Sequence, residues 1–400
     1  MHRARVVLSH LQGAPRGLRA QNTAAPGDPD QDIVVVHGRR TPICKAKRGG
    51  FKETAPDELL SAVMSAVLKD LNLSPDKIGD ICVGNVLQPG AGALVARIAQ
   101  FMSGIPETVP NHTINRQCSS GLQAIIDIAG GIRNGSYDLG LACGVESMSL
   151  RSVGQPGDIS ARSMDFQKAR DCTIPMGITS ENVAERFGVT RQKQDMFALS
   201  SQQKAAAAQQ AGRFRNEIVP VTTTFTDDQG NSKTITVTSD EGVRASTTLE
   251  GLNKLRPAFK EDGSTTAGNS SQVSDGAAAV LLAKRSTAAQ LGLPVIGVLR
   301  SYAIVGVPPD VMGIGPAFAI PAALEKAGGV LRGEAGDPPG EGQSQRRSHR
   351  TGASPGLHRS APDGHLAERA ETQGEEVSAA PASSKYKPSG QRTVTPHNFY

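Results

Sequence analysis

One cysteine stands where its thiol could act as a nucleophile. Cys118 lies in the stretch NRQCSSGLQAIIDIAGGI, residues 115 to 132, directly before a run of apolar residues with helical spacing. Ser119, Ser120 and Gly121 form a polar start for that helix, and the N-terminus of a helix stabilises a negative charge such as a thiolate. Helix N-termini are among the places where cysteines become reactive. The residues alone leave a second interpretation open, in which Cys118 is a small buried side chain.

The residues on either side of Cys118 predict alternating strands and helices. Apolar positions from Leu122 to Ile132 go almost all the way round a helical wheel, which is typical of a helix inside the protein. Strands are predicted in DIVVVHGRRTP, IGDICVGNVL, YDLGLACGVESMS and PVIGVLRSYAIVG, and helices over residues 56 to 71 and 94 to 102 and in SDGAAAVLLAKRSTAAQLGL. This alternation indicates a layered α/β domain with active groups on loops at the strand ends.

Residues from about 155 to 270 interrupt the alternation. They contain a helical stretch around SSQQKAAAAQQAG, a polar, Thr-rich and strand-like part at 219 to 239, and many loops. We therefore expect an inserted domain in this region.

The composition changes abruptly at about Gly329. Gly, Pro, Ser, Arg and Glu dominate residues 330 to 400, while Leu and Val are isolated and Ile and Met are absent. Such a segment cannot bury enough apolar surface to offset the entropy lost on ordering, so we expect a disordered tail. Its four histidines are expected to be solvated rather than catalytic or metal-binding: His349, His358, His365 and His397.

Composition excludes several classes of protein. The chain has 400 residues, and its formal net charge of +5 comes from interspersed charges, which fits an anionic ligand better than a nucleic-acid surface. Its five cysteines form no C-x-x-C pair and have no histidine at zinc-finger spacing, so we expect a reducing compartment, no disulfide framework and no metal site. No run approaches the roughly 18 apolar residues of a membrane span.

The first thirty residues differ from those that follow. They contain four arginines and no acidic residue before Asp28, and then a Pro/Gly-rich break. This composition is typical of a removable targeting segment. A charged, disordered tail is the alternative interpretation.

Six motifs together resemble the thiolase family. They are NRQCSSGLQAI around Cys118, CGVESMS at 143 to 149, SENVAERFGVTRQKQD at 180 to 195, GRFRNEIVPV at 212 to 221, KLRPAF at 254 to 259 and TTAGNSSQVSDGAAA at 265 to 279. The resemblance covers about residues 31 to 329. It implies the thiolase fold, in which two similar α/β halves pack around central helices and a loop domain inserted in the first half binds coenzyme A.

This resemblance implies four segments. They are a targeting segment at 1–30, the first thiolase half at 31–293 with its insertion at about 155–270, the start of the second half at 294–329, and the divergent tail at 330–400. Most of the second half is then replaced.

The resemblance also assigns roles to single residues. Cys118 becomes the nucleophile that takes the acyl group as a thioester, which suits a thiolate because it is both a strong nucleophile and a good leaving group. Five residues are placed along the path of CoA: Met176, Arg244, Phe259, Ala267 and Ser271. Without the resemblance, the alternative interpretation is that Arg244 is an exposed arginine and the other four are ordinary core residues. The implied ligands are CoA and acyl-CoA thioesters as substrates, with no permanently bound cofactor and no metal, and the implied assembly is a homodimer.

The N-terminus carries part of a targeting signal. RARVVLSHL, residues 3 to 11, resembles the signal at the amino end of peroxisomal thiolases, with Arg3, Val7, His10 and Leu11 in place. Ala4 stands where a larger aliphatic residue is usual, which is expected to weaken binding to the peroxisomal import receptor. The mitochondrial matrix is the alternative destination.

The tail departs from the family pattern. Thiolases carry an N-E-A-F segment, a G-H-P histidine that activates the cysteine, and a second cysteine in a C-x-G motif that moves the α-proton, all in the last third of the chain. Residues 330 to 400 contain none of these, and no cysteine follows Cys172. We therefore expect little turnover.

The sequence leaves three functions open. The first is a 3-ketoacyl-CoA thiolase of fatty-acid β-oxidation, which cleaves its substrate with CoA to acetyl-CoA and a shortened acyl-CoA, here in a catalytically impaired variant. The second is a non-catalytic CoA-binding or regulatory protein. The third is a condensing enzyme of the ketoacyl synthase type, which CGVESMS, KLRPAF and the insertion disfavour.

Overall fold

A computed structural model describes residues 28–151 and 157–328. The strands are β1 (Ile33–Arg40), β2 (Cys44–Lys45), β3 (Asp80–Gly84), β4 (Asn111–Ile114), β5 (Leu139–Ser147), β6 (Val221–Thr226), β7 (Ser232–Val237), β8 (Ser274–Lys284) and β9 (Gly297–Val298). The helices are α1 (Pro56–Leu71), α2 (Ala93–Met102), α3 (Ser120–Arg133), α4 (Gln167–Asp171), α5 (Met176–Phe187), α6 (Arg191–Gln210), α7 (Leu249–Asn253), α8 (Arg285–Gln290) and α9 (Gly315–Lys326). The predicted tail and nearly all of the predicted targeting segment lie outside the described residues.

A mixed sheet forms the centre of the fold. Its strand order is β4-β3-β5-β8-β1-β9, and β2 pairs with β8. β3 runs parallel to both β4 and β5, whereas β8 is antiparallel to both β5 and β1. The predicted layered α/β fold is therefore confirmed.

Helices cover both faces of this sheet. On one face, α1 buries Leu59, Leu60 and Met64 completely, in one apolar cluster with residues of β3, β5 and β8. Full burial of each such side chain stabilises the fold by about 1.5–3 kcal/mol. On the other face, Ile125 and Ile128 of α3 share a second cluster with residues from the same strands. The predicted helix after Cys118 therefore lies against the sheet.

The prediction of a helix over residues 274 to 284 is wrong. These residues form β8, which pairs with β5 on one side and with β1 on the other. Ala279 and Leu281 belong to the cluster under α1, while Val280 and Leu282 belong to the cluster under α3. Burial on both faces explains the continuous apolar run, and pairing with two strands outweighs the helix propensity of alanine.

The inserted region contains the predicted helix and the predicted strand-like part. The helix is α6, and the Thr-rich part forms the antiparallel hairpin β6–β7. Arg40 of β1 ties this region to the sheet, because its Nε donates to Glu217 Oε1 at 2.7 Å and its Nη1 to Asp240 Oδ1 at 2.7 Å. The bounds of the insertion, 155 to 270, stay a prediction.

A membrane-spanning helix has about 20 predominantly apolar residues. Within residues 28–151 and 157–328, no helix is both long and apolar enough to cross a bilayer.

Candidate active site

Cys118 lies on the short loop between β4 and α3. Its side chain is exposed, and α3 begins two residues later, with Ser119 as the N-cap residue. Gln117 has φ of 50°, in the left-handed region that residues other than glycine seldom adopt. The thiol therefore stands at the start of a helix, on a tight turn, as the sequence predicts. The alternative interpretation of Cys118 as a buried side chain is wrong.

Side chains of the loop itself hold this turn. Ser120 Oγ donates to Gln117 O at 2.6 Å and accepts from Arg116 N–H at 2.9 Å, while Ser119 Oγ donates to Arg116 O at 2.9 Å. The Arg116 guanidinium reaches forward to α3 and donates from Nε to Gln123 Oε1 at 2.7 Å. These bonds maintain the strained backbone conformation of Gln117, the residue directly before Cys118.

Two paired glycines lie beneath the helix start. Gly84 of β3 and Gly144 of β5 are neighbours in the parallel register. A Cβ at Gly84 would lie 2.3 Å from the carbonyl carbon and oxygen of Ser120, whereas one at Gly144 would lie an ordinary 3.5 Å from Gly121 Cα. The start of α3 can therefore approach the sheet only because position 84 has no side chain.

A buried carboxylate positions the neighbouring loop, which follows β3. Glu146 of β5 accepts from Val86 N–H at 2.9 Å, from Leu87 N–H at 3.2 Å and from Gln88 Nε2 at 2.9 Å. Asn115 Nδ2 in turn donates to Val86 O at 3.3 Å, which joins this loop to the Cys118 loop. Sequence analysis missed Glu146, although a lone acidic residue in the apolar strand CGVESMS is a signal for such a role.

Two of the residues assigned to the CoA path lie close together. Met176 is the first residue of α5, and the ring of Phe259 packs so closely on the next residue, Gly177, that a Cβ there would lie 2.2 Å from it. Met176 is 49% exposed and Phe259 is 46% exposed. An apolar surface at the start of α5 is therefore open to solvent.

The other three residues assigned to the CoA path are also exposed. Arg244 lies beside α6, where its backbone N–H donates to Gln202 Oε1 at 2.8 Å. Ala267 is in a turn whose preceding Thr266 Oγ1 accepts from Gly268 N–H at 3.2 Å, and Ser271 lies just before β8. The apolar slot predicted between Phe259 and Ala267 stays a prediction, as do the roles of all five residues.

Glu181 holds the segment that carries Phe259 and Ala267 against α5. Its buried carboxylate accepts from Thr265 N–H at 2.7 Å, from Ser264 N–H at 2.9 Å and from Ser264 Oγ at 2.9 Å. Burial by itself raises the pKa of Glu181, but these donors outweigh it and the pKa lies below its usual range. Sequence analysis missed this residue because its partners lie far along the chain.

The five cysteines fall into two groups. Cys44, Cys82 and Cys143 are buried, and burial raises the pKa of each thiol above its usual value. Cys118 and Cys172 are exposed. Cys172 differs from Cys118 in that its Sγ donates to Lys168 O at 3.3 Å.

We expect substoichiometric iodoacetamide to modify Cys118 first. Alkylation requires a thiolate that the reagent can reach, and Cys118 combines exposure with a helix N-terminus. Peptide mapping of the intact chain and of Cys118→Ser and Cys172→Ser variants measures the order of modification. Faster modification of Cys172, or of any buried cysteine in the folded chain, would contradict the assignment.

Comparisons with known proteins show the family of the chain. The family model "Thiolase, N-terminal domain" matches residues 33–286. The chain is 71% identical over 333 residues to the peroxisomal 3-ketoacyl-CoA thiolase of Homo sapiens, covering 82% of this chain and 78% of the relative. It is 52% identical over 348 residues to the peroxisomal 3-ketoacyl CoA thiolase 1 of Petunia hybrida, covering 82% of this chain and 75% of the relative.

Solved structures show the same similarity. The dimeric peroxisomal thiolase of Saccharomyces cerevisiae superposes with a TM-score of 0.69 at 46% identity, covering 75% of this chain and 76% of that chain. The human mitochondrial 3-ketoacyl-CoA thiolase gives a TM-score of 0.65 at 34% identity, covering 75% of this chain and 77% of that chain. The chain belongs to the thiolase family, whose enzymes are acyltransferases.

Proposed function

We propose that this chain is a peroxisomal 3-ketoacyl-CoA thiolase in which Cys118 accepts the acyl group and overall turnover is impaired. Relatives at 71% identity carry that name. The observation that carries the proposal is the exposed thiol of Cys118, held at the start of α3 by a turn that the loop's own side chains maintain.

The reaction needs a nucleophile and two proton transfers. The Cys118 thiolate attacks the 3-keto carbon, the bond between C2 and C3 breaks, and its electron pair stays on C2 of the departing acetyl-CoA, which then takes a proton. The thiol of a second CoA loses its proton and attacks the thioester on Cys118, which releases the shortened acyl-CoA and restores the thiolate. CoA is thus a substrate in this proposal, and no bound cofactor takes part.

The chain's own residues supply the nucleophile but lack the groups that carry out the proton transfers in thiolases. Residues 330–400 carry neither the G-H-P histidine nor the C-x-G cysteine with which thiolases move these protons. Cys118 is therefore expected to be acylated slowly, and carbon–carbon cleavage is expected to be the step that suffers most.

In this proposal the insertion binds CoA. The open apolar surface of Met176 and Phe259 suits the pantetheine arm, while Ala267 and Ser271 line the same path further along. The exposed guanidinium of Arg244 meets the nucleotide end by charge or by stacking on adenine.

Calorimetric titration with CoA tests the binding part of the proposal. Arg244→Ala is expected to weaken CoA binding about fivefold, the effect of losing about 1 kcal/mol from an exposed cation–π or charge contact. Lys254→Ala is the matched control, because Lys254 is an exposed cation that pairs with Glu250 one helical turn away. Equal effects of the two substitutions, or no binding of CoA to the parent chain, would contradict the proposal.

A non-catalytic CoA-binding or regulatory protein is the second candidate function. The missing histidine and cysteine motifs of residues 330–400 favour it. Measurable CoA affinity together with no transfer of an acyl group to Cys118 would decide for it.

Peroxisomal delivery follows from the same relatives and from residues 3 to 11, which lie outside the described residues. In this proposal the peroxisomal import receptor binds that segment, and the folded chain forms a homodimer as in the dimeric yeast neighbour. A fluorescent fusion of residues 1–30 is expected in peroxisomes, and His10→Ala is expected to abolish that delivery. Mitochondrial fluorescence would favour the matrix instead.

A further inference from the structure

Three metal-ligating side chains from three different elements meet beside the sheet. Cys82 is on β3, His112 is on β4 and Asp127 is on α3, and one ligand atom from each lies within 4.8 Å of the others. The parallel register of β3 and β4 places Cys82 directly opposite His112. α3 covers this face of the sheet, because Cys82 shares an apolar cluster with its residues.

The cluster is closed on the sulfur side and open on the imidazole side. Cys82 is completely buried, Asp127 is half-buried, and the side chain of His112 is 44% exposed. An ion could therefore enter past His112 and reach the thiol at the bottom.

Neighbouring polar groups orient two of the three side chains. Asp80 Oδ2 lies 3.5 Å from His112 Nδ1, which is the carboxylate–imidazole pairing common behind metal-binding histidines. Gln123 Nε2 donates to Asp127 Oδ1 at 2.7 Å. The contact with Asp80 leaves Nε2 of His112 available to an ion, and the hydrogen bond from Gln123 leaves Oδ2 of Asp127 available.

We propose that Cys82, His112 and Asp127 bind one divalent transition-metal ion, with Zn²⁺ as the preferred ion. The soft thiolate and the borderline imidazole suit Zn²⁺ and disfavour Mg²⁺ and Ca²⁺, and Zn²⁺ also accepts a carboxylate ligand. On binding, Cys82 releases its proton to solvent and its thiolate ligates the ion, which leaves a fourth position for water. The ion ties β4 to α3, the two elements that flank the Cys118 loop, and it takes no part in the acyl transfer proposed above.

Titration of the full chain with Co²⁺ tests this site. The chain used carries Cys118→Ser and Cys172→Ser, so that neither exposed thiol contributes. We expect a thiolate-to-cobalt charge-transfer band that saturates at one ion per chain and disappears when Zn²⁺ is added. Zn²⁺ is also expected to raise the melting temperature of this chain.

Single substitutions then assign the ligands. Cys82→Ser is expected to abolish the band, whereas Cys143→Ser, at another buried cysteine of the same sheet, is expected to preserve it. Asp80→Asn is expected to weaken ion binding about 10- to 100-fold, the usual effect of removing a residue that hydrogen-bonds to a metal ligand. His112→Asn and Asp127→Asn remove a ligand itself and are expected to weaken binding more.

If a variant at a buried cysteine fails to fold, the Co²⁺ affinity of His112→Asn tests the proposal instead. His112 is exposed, so its substitution is expected to leave the fold intact. Undiminished Co²⁺ affinity in His112→Asn would overturn the proposal. So would a band that survives Cys82→Ser, or the absence of any band at saturating Co²⁺ in the parent chain.

Discussion

A thiolysis assay on the purified chain is expected to show turnover at least about 100-fold below that of an intact thiolase. Each positioned acid or base contributes about 10² to 10⁴ in rate, which is about 2.7–5.4 kcal/mol of transition-state stabilisation. Residues 330–400 contain neither of the two family motifs that supply these groups. Groups that act as a unit are not additive, so the combined loss is expected to be smaller than the sum.

The assay follows the loss of acetoacetyl-CoA absorbance in the presence of free CoA, with Cys118→Ala as the background. Light scattering is recorded in parallel, because α2 exposes Leu94, Phe101 and Met102 by 72%, 50% and 52%, and a stripe of this kind promotes association. Cys118-dependent turnover within about tenfold of an intact thiolase, from a monodisperse sample, would show that the two motifs are dispensable. A loss of about tenfold is smaller than the roughly 100-fold that a single positioned acid or base contributes at the least.

The second large effect is expected for Gly84→Ala. The new Cβ would lie 2.3 Å from the backbone of Ser120, so α3 or β3 must shift. Overpacking costs about 1–3 kcal/mol of unfolding free energy, and we expect the upper end because both partners are backbone atoms that cannot rotate away. The shift falls on the start of α3, so the rate at which Cys118 reacts with iodoacetamide is expected to change as well.

Gly144→Ala is the matched control for this experiment. Gly144 pairs with Gly84 in the sheet, but its new Cβ would only touch Gly121 Cα at 3.5 Å. Chemical denaturation and the alkylation rate of Cys118 are measured for both variants. Equal effects of Gly84→Ala and Gly144→Ala on the two quantities would contradict the role of Gly84.

Local sequence was sufficient to place Cys118 at a helix start but not to find the side chains that hold its surroundings. The polar start SSG followed by an apolar helix placed Cys118 at the N-terminus of α3, because a helix start depends on adjacent residues. Glu146 and Glu181 accept hydrogen bonds from backbone N–H groups 59 to 84 residues away, and no spacing rule connects such partners. The cluster of Cys82, His112 and Asp127 was missed for the same reason.

Helix and strand were confused only where tertiary structure decides between them. The run GAAAVLLA has a good helix former at most positions, yet it becomes the strand β8 because it lies between β5 and β1 and is buried on both faces. Apolar periodicity cannot separate a strand buried on both faces from a buried helix. By contrast, α1 shows a clear one-sided stripe and begins at Pro56, and its prediction over residues 56 to 71 matches the structure.

Transfer of an acetyl group from acetyl-CoA tests the central role of Cys118 most directly, because this half-reaction breaks no carbon–carbon bond and needs only a thiolate and a bound thioester. The chain is incubated with acetyl-CoA, digested, and mapped by mass spectrometry, with Cys118→Ser as the control. The account predicts an acetyl thioester on the peptide that contains Cys118, lost on treatment with hydroxylamine and absent from the control. An acetyl group on Cys172 instead, or no acetylation of Cys118 at saturating acetyl-CoA, would contradict it.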